Sequence, residues 1–272
     1  MTRVLVTTGG HPFEEEAFLA TFDELPGIEW QHGPMPEARE YFRGERAGEF
    51  DAIVCYDMQG FEFRKPHPPR LLEPPEGYAR GLVEMLEAGQ GIVFLHHAMS
   101  AWPLWPLWAD IVGGRWHYLP GELRGQQWPA SGYTAEVEEH ISCIDPSHPV
   151  CAGVEDGFDI LDEAYLNPVL EDSIVPLFRT DFEGSYENFY SGELAIRGQM
   201  WSRDGWTHPR GSGIVGWVKS SGSSPIVYFQ PGHASAAYAN PGFRRVLSNA
   251  IAWVSSAEAH SWAASHATAL TG

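Results

Sequence analysis

The chain is poor in cysteine. Cys55, Cys143 and Cys151 are the whole complement, an odd number without Cys-x-x-Cys spacing. This argues against a disulfide framework and against a thiolate metal cluster, and free thiols fit a reducing compartment. Positive charge is scarce as well: 17 Lys and Arg stand against 36 Asp and Glu, a net charge of -19. So few cations make nucleic acid and anionic membrane poor partners. No apolar run reaches the roughly 18 residues that a membrane helix needs. The first residues, MTRVLVTTGG, enter a strand with no charged and apolar leader. A cytoplasmic location is the expectation. Familiar motifs are missing too. There is no GxGxxG, and Glu14 to Glu16 after Gly9 and Gly10 would repel a pyrophosphate, so no nucleotide cofactor is expected. Neither HExxH nor HxH spacing is present. Where a nucleophile elbow would carry Ser or Cys in a GxSxG turn, the chain reads His-His-Ala, which disfavours nucleophilic hydrolysis.

What is present suits one large domain: 272 residues, 43% of them hydrophobic, rich in Gly and Pro. Residues 3–8 (RVLVTT), then Gly9, Gly10 and His11, then an amphipathic run read as strand, glycine turn and helix, the opening of a doubly wound sheet. Residues 28–33 and 50–58 read as further strands, with a helix-like stretch between them up to about Gly48. The proline- and aromatic-rich QGFEFRKPHPPRLLEPP reads as a loop over the sheet edge. Residues 75–88 form a helix that leads into the strand at Gly91. Helical periodicity fades over residues 116–212, which predict an antiparallel β-rich lobe or extension inserted before the chain returns to the sheet. Residues 213–230 read as a hairpin, and Asn240 and Pro241 open a helix. The domain is placed at residues 1–257, and 258–272 read as a loosely held tail.

The segment GIVFLHHAMSAW, residues 91–102, organises the rest. A short apolar run breaking into His96 and His97 reads as a buried parallel strand delivering polar groups at its carboxyl end, the edge where ligands sit in open α/β sheets. Strands ending at His11, Asp57, His96 with His97, and His233 share this pattern and predict one convergent rim. Asp162, Glu163 and Tyr165 follow an apolar run, which places Glu163 as a further candidate. Trp102, Trp105 and Trp108 read either as a core helix or as a stacking platform for sugar rings. A cleft with several histidines and a carboxylate can move protons near neutral pH. It can also hold a divalent metal such as zinc, drawn from His96, His97, Glu163 and His233.

Several segments resemble the ThuA-like (trehalose utilization) family, of class I glutamine amidotransferase-like fold: VTTGGHPF, GIVFLHHA with VGGRW, HPVCAGV with DILDEAY, and VYFQPGHASAAYANPGFRRVLSNAIAW. The resemblance implies a flavodoxin-like, mostly parallel sheet with helices on both faces, and a histidine where the amidotransferase cysteine would stand. It implies a role in disaccharide breakdown beside a partner oxidoreductase that makes 3-keto sugars. His11, His96, His97, Glu163 and His233 would then line the pocket.

Two function classes stay open at this stage. One is an enzyme on a sugar or keto-sugar, with His97 or His233 as base, Glu163 orienting it or binding a metal, and His11, Asp57, His96, Trp102 and Tyr165 contacting substrate. The other is a non-catalytic sugar-binding or regulatory protein, with the further option of a structural metal. A homo-oligomer is compatible with either.

Overall fold

The structure is a computed structural model, and it describes residues 1–64 and 67–270. The chain opens with β1 (Thr2–Gly9), α1 (Glu15–Glu24), β2 (Ile28–Pro34) and β3 (Ala52–Asp57). Next come a small hairpin, β4 (Phe61–Arg64) with β5 (His67–Leu71), then α2 (Glu76–Glu87), β6 (Ile92–Leu95) and α3 (Leu107–Val112). A second hairpin, β7 (Gly121–Leu123) with β8 (Gln126–Trp128), precedes β9 (Gly132–Cys143), β10 (Phe158–Leu166), β11 (Val175–Thr180), β12 (Tyr190–Ser191) and α4 (Gly192–Ile196). The chain closes with β13 (Ile214–Ser221), β14 (Ser224–Phe229), α5 (Ser235–Tyr238), α6 (Pro241–Val254) and α7 (Ala257–Ser265).

The main sheet runs β10-β9-β11-β13-β14-β6-β3-β1-β2. Its five-stranded centre, β14-β6-β3-β1-β2, is parallel throughout. Alternation along these strands divides the core. Val4, Val6, Val54, Val93 and Val227 face α1, α5, α6 and α7, while Leu5, Ile53, Phe94 and Tyr228 face α2 and α3. Strands buried on both faces carry apolar residues at nearly every position, as β3 and β6 do here. The result is the mixed α/β architecture with helices on both faces.

The expected antiparallel stretch takes the form of an extension: β9, β10 and β11 join β13 by antiparallel pairing and lengthen the same sheet. Other expectations are revised. The expected tail is largely helical, because α7 buries Ala259 and Ala263 and sets Trp262 5.5 Å from Trp253. The predicted loop after β3 contains the β4–β5 hairpin, and its residues 65–66 lie outside the described residues. The stretch before β3 holds two 3-10 turns, Glu37–Tyr41 and Gly44–Arg46, and no α-helix. The tryptophan-rich helix is short because Pro106 caps its start and Gly113, at φ 97°, ends it. Among the described residues, no helix is long and apolar enough to cross a membrane.

Candidate functional site

Three strand ends build one rim. After β1, Gly9 and Gly10 take φ of 122° and 84° and turn the chain so that His11 overhangs the sheet. A Cβ on Gly10 would lie 2.0 Å from the carbonyl oxygen of Met58, so this close approach admits only glycine. After β6 the backbone breaks into a 3-10 turn, His96–Ser100, and His96 adopts φ 47°. A non-glycine residue in that region costs about 1–2 kcal/mol. Here it drives the His96 ring, 0% exposed, back against the end of β14. After β14, Gly232 at φ 127° presents His233.

Glu163 comes from the opposite side. The β9–β10 register slips between Asp162 and Ala164, a bulge that lets neighbouring acids aim at one target. The Asp162 carboxylate accepts hydrogen bonds from the backbone N–H of Gly232 and of His233, the latter at 2.9 Å. The Glu163 Oε2 lies 3.2 Å from the Nδ1 of the same histidine. Adjacent carboxylates thus clamp the main chain and the ring of His233.

The polar corner is compact. His96 Nδ1 lies 2.7 Å from the carbonyl oxygen of Gln230. A carbonyl only accepts, so Nδ1 carries the proton and Nε2 offers its lone pair to the cavity. Around that Nε2 stand the Tyr165 hydroxyl at 2.7 Å, His233 Nδ1 at 3.1 Å and Glu163 Oε2 at 3.2 Å. Burial pushes the Glu163 carboxyl up, but its bond to His233 outweighs that and holds it well below the usual carboxylate range. Burial also opposes charge on His233, yet the bond to Glu163 and the charges of Glu163, Asp162 and Glu14 raise its pKa above the ordinary histidine value.

The other two histidines are of the opposite kind. His97, 2% exposed, points Nε2 at the carbonyl oxygen of Tyr56, 3.1 Å away, and its Nδ1 has no partner. Burial, with His11 and His96 nearby, keeps its pKa well below the ordinary value. The ring of His11 lies 5.0 Å from that of His97 and 5.9 Å from that of His233. Burial lowers His11 to a pKa of about 4 against the pull of Glu163.

These groups floor a cavity of about 460 Å³ whose wall includes Phe61, Trp116, Tyr118, Tyr133 and Trp201. His11, His97, Glu163, Tyr165 and His233 line it, and His96 lies directly behind them. Two residues expected at the substrate do not reach it. Asp57 follows Ile53 and Cys55 onto the α2 face, where Thr7 bonds it at 2.6 Å and burial raises it to a pKa of about 6. Trp102, 1% exposed, is core: it packs on Tyr78 and under the Arg39 guanidinium. His97 does not belong to the metal-capable group either, which consists of His96, Glu163 and His233. Neither Cys55 nor Ser100 offers a nucleophile. The thiol is buried, which raises its pKa well above the ordinary value, and the hydroxyl donates to the carbonyl of His97.

The aromatic wall was not foreseen as a site. Trp116 and Tyr133 come from the β-rich stretch, and no local pattern points to either. Nothing local marks Trp201, which stands 53% exposed at the mouth.

Comparison with known proteins accords with this architecture. No curated protein matches the chain. A crystal structure described as a putative ThuA-like protein from Parabacteroides merdae superposes with a TM-score of 0.65 at 16% identity, over 94% of this chain and 90% of that one. A second so described, from Bacteroides uniformis, gives 0.62 at 14% identity, over 93% and 91%. A Salmonella typhimurium protein described as cytoplasmic gives 0.53 at 10% identity, over 93% and 99%. At such identities these likenesses speak for the fold. The family model described as ThuA, trehalose utilisation, matches residues 29–254, and the chain belongs to that family.

Proposed function

We propose that the cavity is the active site of an enzyme of disaccharide or keto-sugar breakdown that works by histidine acid/base chemistry. The observation that carries this reading is the contrast between His97, a cavity-lining ring whose Nδ1 has no partner and whose pKa burial lowers, and His233, which is held against the Glu163 carboxylate and whose pKa is raised. Neighbouring groups whose environments push their pKa values apart are how a site assigns base and acid.

A ketone at C3 of a glycoside makes the C2–H bond acidic. His97 Nδ1 takes that proton, and the electron pair left on C2 forms a C1=C2 double bond as the C1–O bond breaks. The departing oxygen leaves with its bonding electrons and takes a proton from the His233 corner, so charge and atoms balance. Isomerisation uses the same base with protonation returned to another carbon. Tyr165 and His11 position the ring, and the aromatic wall offers faces for stacking on the sugar or its aglycone. An oxidoreductase that makes the ketone would act before this enzyme, and we place both in the cytoplasm.

The test is turnover of 3-keto glycosides by the wild type and by His97→Ala and His233→Ala. Loss of turnover in both variants is expected, and wild-type rates in both would refute the proposal. The aromatic wall also favours a second reading, a sugar-binding protein without catalysis. Keto-sugar recovered unchanged after long incubation, with binding seen by calorimetry, would decide for it.

A further inference from the structure

We propose that His96 Nε2, Glu163 Oε2 and His233 Nδ1 together hold one first-row divalent metal ion of the zinc type. The proposal rests on the reading above and deepens it, by naming the ion that the cavity holds opposite His97.

The first argument is shape. The three atoms form an almost equilateral triangle with edges of 3.2, 3.1 and 3.2 Å. With bonds of about 2.0–2.1 Å, a tetrahedral ion sets its ligands ~3.3 Å apart and an octahedral ion sets adjacent ligands ~3.0 Å apart. The observed edges fall between these two values. Among the described residues this is the group of three whose ligand atoms all lie within 4.8 Å of one another.

The second argument counts protons. The Gln230 carbonyl fixes the His96 proton on Nδ1, so Nε2 of the neutral ring can only accept. Glu163 Oε2 can only accept as well. The Tyr165 hydroxyl serves His96 Nε2, and a proton on His233 Nδ1 can serve His96 or Glu163. The 3.2 Å edge from His96 to Glu163 then joins two acceptors with no proton between them. Lone pairs facing each other in a buried corner call for a cation.

The third argument is the support behind the ligands. A metal-bound imidazole normally donates its other N–H to a carbonyl or carboxylate, which fixes ring and tautomer, and Gln230 does this for His96. Two imidazoles with one carboxylate suit first-row divalent ions and leave a coordination position open.

The experiment uses the full chain purified without a histidine tag, stripped with chelator, and titrated with Zn²⁺ by calorimetry and with Co²⁺ by visible absorption. One ion per chain is expected, with the absorption bands of a four- or five-coordinate Co²⁺ and a rise in melting temperature on loading. Glu163→Gln and His96→Gln, checked for native circular dichroism, should bind more than about 100-fold more weakly, beyond what loss of a partner behind a ligand produces. Where a variant does not fold, the stoichiometry and spectrum of the wild type decide. His97→Ala should retain the ion. Absence of one-to-one binding in the wild type, or unchanged affinity in a folded Glu163→Gln, overturns the proposal. A metal-free wild type that turns over keto-glycosides at full rate overturns it too, while sparing the sugar reading. One-to-one binding without turnover on any keto-sugar supports the metal site and counts against the sugar reading instead.

Discussion

The Nε2 of His97 stands 3.1 Å from the carbonyl oxygen of Tyr56, which ties up one edge of the imidazole and leaves Nδ1 as an unpartnered lone pair on a ring that lines the cavity. General base catalysis of this kind contributes about 10²–10⁴-fold. His97→Ala should therefore lower kcat by about that factor with KM nearly unchanged. Steady-state kinetics on a 3-keto glycoside is the check, and an equal rise in KM would mean that His97 binds substrate without touching the proton.

Trp102 and Trp201 separate stability from recognition. Trp102 is buried beside Tyr78, and Trp102→Ala should cost about 3–5 kcal/mol of stability. Trp201 lies at the cavity mouth against Tyr133, their rings 5.3 Å apart. Trp201→Ala should raise KM about 2–10-fold, the worth of one aromatic contact. Its unfolding midpoint should move within the small range of surface substitutions. A large loss of stability in Trp201→Ala would contradict its placement.

Asp162 positions His233 through the main chain. Asp162→Ala leaves the Gly232 and His233 N–H groups without their acceptor, at about 1–3 kcal/mol for each group left buried and unpaired. Stability and kcat should fall together. Asp162→Asn, which keeps one acceptor oxygen, should recover part of both, and denaturant unfolding run beside kinetics tests the order wild type, Asn, Ala.

Glu139 predicts how stability changes with pH. Burial raises its pKa to about 7 against the hydrogen bond from Thr180, and its Oε1 has no partner. The folded state thus holds this proton more tightly than the unfolded chain, whose glutamates titrate near the ordinary value of about 4.3. The favourable contribution is complete below about pH 4.3 and disappears as pH rises through about 7. Glu139→Gln should flatten this slope and be more stable than wild type at pH 8, by on the order of 1–3 kcal/mol. Thermal melts from pH 5 to 8 are the measurement, and parallel curves for the two proteins would sink the idea.

The helix α7 should be structural. A chain ending at Ser256 loses the burial of Ala259 and Ala263 and the packing of Trp262 on Trp253. A loss of at least about 2 kcal/mol is expected from exposing such surface. Unchanged unfolding of the truncated chain would return the segment to the status of a tail.

Much of the floor was legible in the sequence because a parallel strand has a simple grammar. Four apolar runs share this pattern, and three of them, ending at His11, at His96 with His97, and at His233, do meet at one edge. Glu163 was readable only as a candidate, since the bulge that turns it inward depends on pairing between β10 and β9. The same signal misled at Asp57. It too ends a strand, but pleating sends it to the α2 face. Trp102 misled because flat rings serve cores and sugar sites alike. The tail was misread because a sequence of Ala, Ser and Thr does not reveal that small side chains let α7 lie close on the sheet. The wall of Trp116, Tyr133 and Trp201 is set by long-range packing that no local pattern encodes.

The groups that handle protons sit mostly on the parallel half of the sheet, while the aromatic wall, Phe61 apart, comes from the stretch between α3 and β13. Under the proposed function, reaction and selectivity are thereby written in different stretches of one polypeptide, and change in the second would shift which sugars are admitted while the first keeps its chemistry.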